Sequence, residues 1–130
     1  MLVRDHMTRS VITLSPDTEI LKALLTLAEQ DIAGAPVVDA AGRLIGILTE
    51  KDCIRCVLEA TYHSGYAGLV SDFMSREVAT VNPDDSLVKT AERFLELSYH
   101  RYPVLEDGEL VGIISRRDVI QALADAWQWK

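Results

Sequence analysis

Leu2-Val3-Arg4-Asp5-His6-Met7-Thr8 returns 67 positions later as Leu69-Val70-Ser71-Asp72-Phe73-Met74-Ser75. The register continues outward. Thr13 falls on Thr80, Pro16-Asp17 on Pro83-Asp84, and Pro36-Val37 on Pro103-Val104. One residue is deleted where Ala40-Ala41-Gly42 meets Asp107-Gly108; beyond it Gly46-Ile47 falls on Gly112-Ile113 and Asp52 on Asp118. Of 57 aligned pairs 20 are identical, too many for chance in a single register. The chain is therefore a duplication: repeat 1 (residues 1–61), a linker carrying Gly and Ser (62–68) and repeat 2 (69–130). A unit of about 60 residues rarely buries enough surface alone, so the two copies are expected to pack around one shared core.

Each repeat reads as strand, helix, strand, strand, helix. In repeat 1, residues 12–14 suggest a short strand. Residues 18–31 carry Ile20, Leu21, Leu24, Leu25, Leu27 and Ala28 at helical spacing behind the start signal Pro16-Asp17. Residues 36–39 and 44–49 read as a hairpin, and helical spacing returns over 50–61. Repeat 2 gives a strand near 80–81, a helix over 86–98, a hairpin over 102–115 and a helix from 116 to about 129.

The composition is that of an ordinary globular chain, with 48% apolar and 25% charged residues. A net charge of −7 makes nucleic acid an unfavoured partner. No apolar run approaches the roughly 18 residues of a membrane span, and Met1-Leu2-Val3-Arg4-Asp5-His6 lacks the apolar segment of a secretory signal. Two cysteines are too few for a disulfide scaffold. The expectation is a cytoplasmic protein with no membrane and no nucleic-acid partner.

The repeated order Val-x-Asp-x-Met, Pro-Val, then Gly-Ile-x-Thr/Ser-x-x-Asp at the last helix resembles the CBS domain, and two copies in tandem resemble a CBS pair, or Bateman module. The resemblance covers nearly the whole chain. It implies an α+β fold of two β-α-β-β-α repeats with pseudo-two-fold symmetry. It also implies a regulatory role, with adenosine-containing ligands held in clefts between the repeats. In Gly46-Ile47-Leu48-Thr49-Glu50-Lys51-Asp52 a strand runs into a helix N-terminus, whose free N–H groups suit a phosphate or ribose oxygen. Asp52 would accept from the two ribose hydroxyls, with Thr49 beside it; Ser115 and Asp118 repeat the pair. Both pairs equally fit helix capping, a hydroxyl at the N-cap with a carboxylate three residues on.

Ser98-Tyr99-His100-Arg101-Tyr102-Pro103-Val104 is the second informative stretch. His100-Arg101 looks like the phosphate-binding pair of AMP-sensing CBS modules, and by that resemblance would serve the ligand of Asp52. A solvated helix C-terminus is the plainer reading. Repeat 1 has uncharged Ala33 and Gly34 at these positions, so the two clefts are expected to differ; Lys51, Arg116 and Arg117 add positive charge. Thr13, Ile32, Ala33 and Pro36 are candidates for the wall around the base in one cleft, and Thr80, Tyr99 and Pro103 in the other.

Cys53-Ile54-Arg55-Cys56 suggests a redox pair or half a metal site. The duplication argues against it, because the matching residues Val119 and Ala122 are packing residues, and no second Cys pair completes a zinc site. No catalytic constellation appears, so the chain is not expected to be an enzyme. Apolar Val57, Leu58, Leu123 and Trp127 on the last helix of each repeat, with Trp129 beyond, point to a homodimer. The reading is a regulatory CBS pair binding AMP, or ADP or ATP, and acting on itself or on a protein target. The alternatives are a ligand-free assembly module, a binder of S-adenosylmethionine or NADH, and thiol signalling through Cys53 and Cys56.

Overall fold

The computed structural model describes residues 1–63, 65, 68–97 and 100–127. In repeat 1 the elements are α1 (Ile20–Glu29), β1 (Ala35–Val38), β2 (Leu44–Leu48) and α2 (Glu50–Tyr62). In repeat 2 they are α3 (Val70–Phe73), α4 (Leu87–Glu96), β3 (Arg101–Glu106), β4 (Glu109–Ser115) and α5 (Arg116–Ala126). A single 3-10 turn, Val3–Asp5, stands where repeat 2 has α3. Periodicity did not reveal these two entry turns, which are too short to show it.

Each hairpin is antiparallel, and its register shifts once, between Val37 and Val38 or between Val104 and Leu105. The strand expected at the head of each repeat is reduced to one parallel bridge, Leu14 to Val37 and Val81 to Val104. Both Pro-Val pairs have a structural reason there. The Leu14 N–H donates to the Pro36 carbonyl at 2.9 Å, and the Val81 N–H to the Pro103 carbonyl at 3.1 Å. A proline that offers no N–H of its own is tolerated at such a position. Type-specific turns close the hairpins, with Asp107 and Gly108 both at positive φ (52° and 82°) in the shorter one.

The chain forms two compact units, and these do not follow the repeat boundaries. One unit is Met1–Val11 with Ala79–Lys130; the other is Ile12–Val78. The repeats have exchanged their entry segments, residues 2–8 and 69–75. In the first unit the Val3 and Arg4 N–H groups donate to the Asp85 and Pro83 carbonyls at 3.0 and 2.8 Å. In the second the Val70 and Ser71 N–H groups donate to Thr18 and Pro16 at 2.8 and 3.0 Å. Thr8 and Ile113 exchange two backbone hydrogen bonds at 2.9 Å, and Ser75 and Ile47 do the same at 2.8 and 2.9 Å.

The repeated Met and Gly now explain each other. A Cβ on Gly112 would lie 2.7 Å from the Met7 Sδ, and one on Gly46 would lie 2.7 Å from the Met74 Sδ. Glycine at these strand positions leaves room for the thioether and for the crossing backbone. Arg4 adds a grip that Ser71 lacks, pairing with Asp84 at 2.6 Å and Glu106 at 3.1 Å.

The expectation of one shared core is corrected. Buried side chains form two clusters, each completed by a Val and a Met from the other repeat. Val3 and Met7 join Val81, Leu87, Phe94, Tyr102, Val104, Ile114, Val119 and Ala122. Val70 and Met74 join Leu14, Ile20, Ala23, Leu27, Ala35, Val37, Leu48 and Cys56. The exchange supplies each unit with the apolar area that one repeat lacks, since burying a Val or Met side chain contributes about 1.5–3 kcal/mol.

Val3→Asp should therefore injure repeat 2. A buried, unpaired carboxylate at this site should cost more than about 3 kcal/mol. Hydrogen exchange is expected to quicken in β3, β4 and α5 while β1, β2 and α2 stay protected. Faster exchange in repeat 1 instead would show that the segments are not exchanged in solution.

Candidate functional site

The candidates in the Ile12–Val78 unit gather around the start of α2. Thr49 is the N-cap in extended conformation (φ −96°, ψ 170°), and its hydroxyl accepts from the Asp52 N–H at 3.2 Å. Asp52 replies: its Oδ2 accepts from the Thr49 N–H and the Thr49 hydroxyl, both at 2.9 Å. The Ser75 hydroxyl, arriving on the exchanged segment, lies 3.1 and 3.3 Å from the two carboxylate oxygens. Arg55 Nη1 donates to Oδ1 at 3.2 Å. Asp52 is 1% exposed. Pro36 is buried, Ile32 and Ala33 are half-buried and Thr13 is exposed. Gly34, the counterpart of Arg101, lies so close to β2 that a Cβ would stand 2.4 Å from the Leu48 carbonyl oxygen.

The other unit repeats the frame with a different loading. Ser115 caps α5, accepting from the Asp118 N–H at 3.2 Å, while Asp118 Oδ2 accepts from the Ser115 N–H at 3.0 Å. The Thr8 hydroxyl takes the place of Ser75 with longer contacts, 3.3 and 3.4 Å. Asp118 is half-buried, and among the described residues it has no cationic partner. The capping reading of both Ser/Thr-x-x-Asp boxes is thus realised in the structure.

His100, Arg101, Ser115, Arg116, Arg117 and Asp118 all belong to this unit, whereas Asp52 belongs to the other. The strand register sets Arg101 opposite Ser115. The Arg116 N–H donates to the His100 carbonyl at 3.1 Å. Arg116 Nη2 lies 2.7 Å from His100 Nδ1 and 3.3 Å from Nε2. Arginines and a histidine are therefore concentrated at the N-terminal end of α5, where the helix dipole also favours an anion. Thr80 is half-buried; its carbonyl accepts from Arg93 Nη1 at 3.0 Å, and the Arg93 guanidinium lies 4.5 Å over the buried Tyr102 ring. Pro103 is buried. Tyr99 and Trp129 lie outside the described residues.

Sequence reasoning missed Ser75, Thr8 and Arg55. A hydroxyl follows the Met in both repeats, which was the available signal for the first two. Arg55 stands three residues after Asp52, a spacing at which helix side chains meet.

The cysteines take core positions. Cys56 is buried in its cluster and Cys53 packs against the same cluster, as Ala122 and Val119 lie in the other. Burial, then the charges of Asp52, Cys56 and Glu50, push the Cys53 thiol up to about 11. Burial and Glu59 push Cys56 up as well. Among the described residues no group of three or more His, Cys, Asp or Glu is placed to hold a metal ion, and no helix is long and apolar enough to cross a membrane.

Comparison with known proteins gives these repeats their setting. A sequence profile of the CBS domain matches residues 3–59 and 70–125. The CBS domain-containing protein YhcV of Bacillus subtilis is 32% identical over 119 residues, covering 90% of this chain and 81% of its own length. An uncharacterized Methanocaldococcus jannaschii protein is 33% identical over 125 residues, 96% of this chain but 44% of its own length. The chain likewise spans 14% of an A-adding tRNA nucleotidyltransferase and 22% of an inosine-5'-monophosphate dehydrogenase, both from Aquifex aeolicus. Among solved structures, CBSX2 in complex with AMP aligns with a TM-score of 0.87 at 28% identity over 98% of both chains. The CBS domain pair of protein MJ0100, in complex with 5-methylthioadenosine and S-adenosyl-L-methionine, gives 0.82 at 25% identity over 97% of this chain and 98% of that one.

Two outcomes follow from the geometry. Asp52→Ala strips partners from a buried box and should cost about 2–4 kcal/mol, against about 1 kcal/mol for Asp118→Ala; urea titrations of the two variants compare them. Equal losses would contradict the different loading of the boxes. A thiol with a pKa near 11 is only about one part in a thousand thiolate at pH 8, so Cys53 should be alkylated far more slowly than a free thiol, with the rate rising until about pH 11. A rate at pH 8 matching that of the unfolded chain would refute the shielding.

Proposed function

The chain belongs to the CBS-domain family, and from that premise we propose that it is a regulatory module that binds an adenosine-type ligand, AMP foremost, with ADP and ATP as variants. One observation carries the reading. The Ser115–Asp118 box, with an incompletely used carboxylate, stands in the same unit and at the same helix end as His100, Arg101, Arg116 and Arg117. A carboxylate suits the vicinal hydroxyls of a ribose, and a planar guanidinium suits a phosphate. Asp118 and Ser115 take the ribose in this reading and the cations of the same unit take its phosphate, a departure from the resemblance, by which His100 and Arg101 would serve the ligand of Asp52. Thr80 and Pro103 supply the wall for the base, and Arg117 adds to the field. Thr49, Asp52, Thr13, Ile32, Ala33 and Pro36 form the matching half-site of the other unit, without a cation at Ala33 or Gly34.

Complexes of CBSX2 with AMP and of the MJ0100 pair with two adenosyl compounds support the ligand class. Regulation in place of catalysis follows from the chemistry available. The box accepts hydrogen bonds and the cations hold charge, but among the described residues no nucleophile–base pair accompanies them. Occupancy acts only through a difference in affinity between two arrangements of the module or its partner. Self-association is part of the proposal. Ile54, Val57 and Leu58 on α2, and Ile120 and Trp127 at α5, are exposed, between 45% and 78%, and a second copy would cover them.

Calorimetry with AMP and adenosine tests the assignment, with light scattering on the same samples. AMP is expected to bind a particle of twice 14.4 kDa. Asp118→Asn should weaken both ligands about 10- to 1000-fold, since each hydrogen bond to a charged acceptor contributes about 1.5–3 kcal/mol. Arg116→Ala should weaken AMP alone. Absence of binding by AMP, ADP and ATP, with a response to S-adenosylmethionine or NADH, would transfer the site to that ligand. A particle of only 14.4 kDa would remove the dimer.

A further inference from the structure

We infer that Arg55 closes the Asp52 half-site, so that the chain takes one adenosine-type ligand, at Asp118, where its duplication offers two. The inference rests on the nucleotide reading above and fixes how many ligands a chain holds and which residue sets that number.

The two boxes are alike in sequence and unlike in use. A carboxylate offers about four lone-pair positions. Asp52 accepts at Oδ2 from the Thr49 N–H, the Thr49 hydroxyl and the Ser75 hydroxyl and at Oδ1 from Arg55 Nη1, and it is buried. Among the described residues Asp118 accepts from two groups, the Ser115 N–H at 3.0 Å and the Thr8 hydroxyl at 3.3 and 3.4 Å, and its Oδ1 holds only the longer kind of contact. An entering ribose hydroxyl needs an open acceptor. Arg55 Nη1 occupies Oδ1 of Asp52, the oxygen that the donors fixed by the fold leave least used, whereas among the described residues no cation occupies Asp118.

Three of the four donors on Asp52 are fixed by the fold. Thr49 is the N-cap of α2, and Ser75 is pinned by its backbone exchange with Ile47. Arg55 alone is free to leave, with a side chain 62% exposed against 2% for the carboxylate it covers. The duplication supplies the control. Repeat 2 carries Gln121 at this position, and its Nε2 donates to Asp125 Oδ1 at 2.9 Å, four residues further along α5. Gln121 is engaged with Asp125, and among the described residues no cation covers Asp118.

Titration with adenosine, which needs no phosphate clamp, tests this on the full chain. Wild type is expected to show one stronger event per chain, with the event at Asp52 up to about fivefold weaker, the full weight of an exposed ion pair. Arg55→Gln should bring a second event to within about twofold of the first, while Arg55→Lys, which keeps the ion pair, should retain a single strong event. Asp118→Asn should abolish the wild-type event and leave the new one in the Arg55→Gln background. Two equal events in wild type, or a single event in Arg55→Gln, would overturn the role of Arg55 and leave the nucleotide reading standing. No adenosine or AMP binding by any of these chains would overturn both.

Discussion

A methionine sulfur seated on a glycine, once in each unit, is the contact on which the rest of this structure depends. Met7 can lie over Gly112, and Met74 over Gly46, only if each entry segment crosses into the other repeat's hairpin. The crossing brings Val3 and Val70 into the two cores and lays a backbone bridge beside each Gly-Ile. It also delivers a hydroxyl, from Thr8 or Ser75, to the carboxylate at the head of the last helix. Core, sheet edge and candidate site are therefore three results of one exchange.

Much of this was legible because duplication turns a sequence into its own control. The helices over Ile20–Glu29 and Leu87–Glu96, both hairpins and the last helices follow from spacing and from the Pro and Gly residues between them. The exchange was not legible. Val3 and Met7 show only that they are apolar, and an apolar residue serves either core equally well. Equivalent segments of a repeat have equivalent binding sites by construction, so pattern alone cannot choose between staying and crossing. For the same reason a shared core was the natural expectation, and the two clusters correct it.

At the candidate site the sequence identified the boxes and left their loading open. Thr49-x-x-Asp52 and Ser115-x-x-Asp118 are interchangeable as patterns, yet one carboxylate is buried under four donors and the other is half-open. The difference comes from residues outside the motif, Arg55 against Gln121, and from contact lengths that a pattern does not carry. His100 was singled out for its chemistry; its meeting with Arg116 depends on the strand register between Arg101 and Ser115.

The exchange also orders assembly in time. The Ile12–Val78 unit is one continuous stretch, complete as soon as residue 78 has left a ribosome. Its partner is split, and residues 1–11 must wait through the synthesis of the whole intervening unit before α4 and β4 exist to receive them. Closing the longer loop costs little at equilibrium, because loop entropy grows only with the logarithm of length. The cost is one of waiting: an apolar segment made before the intervening unit is buried after it, and during that interval Val3 and Met7 await their core. Vectorial synthesis thus gives two similar repeats unequal folding histories, with an earlier-made segment completing the later-made unit.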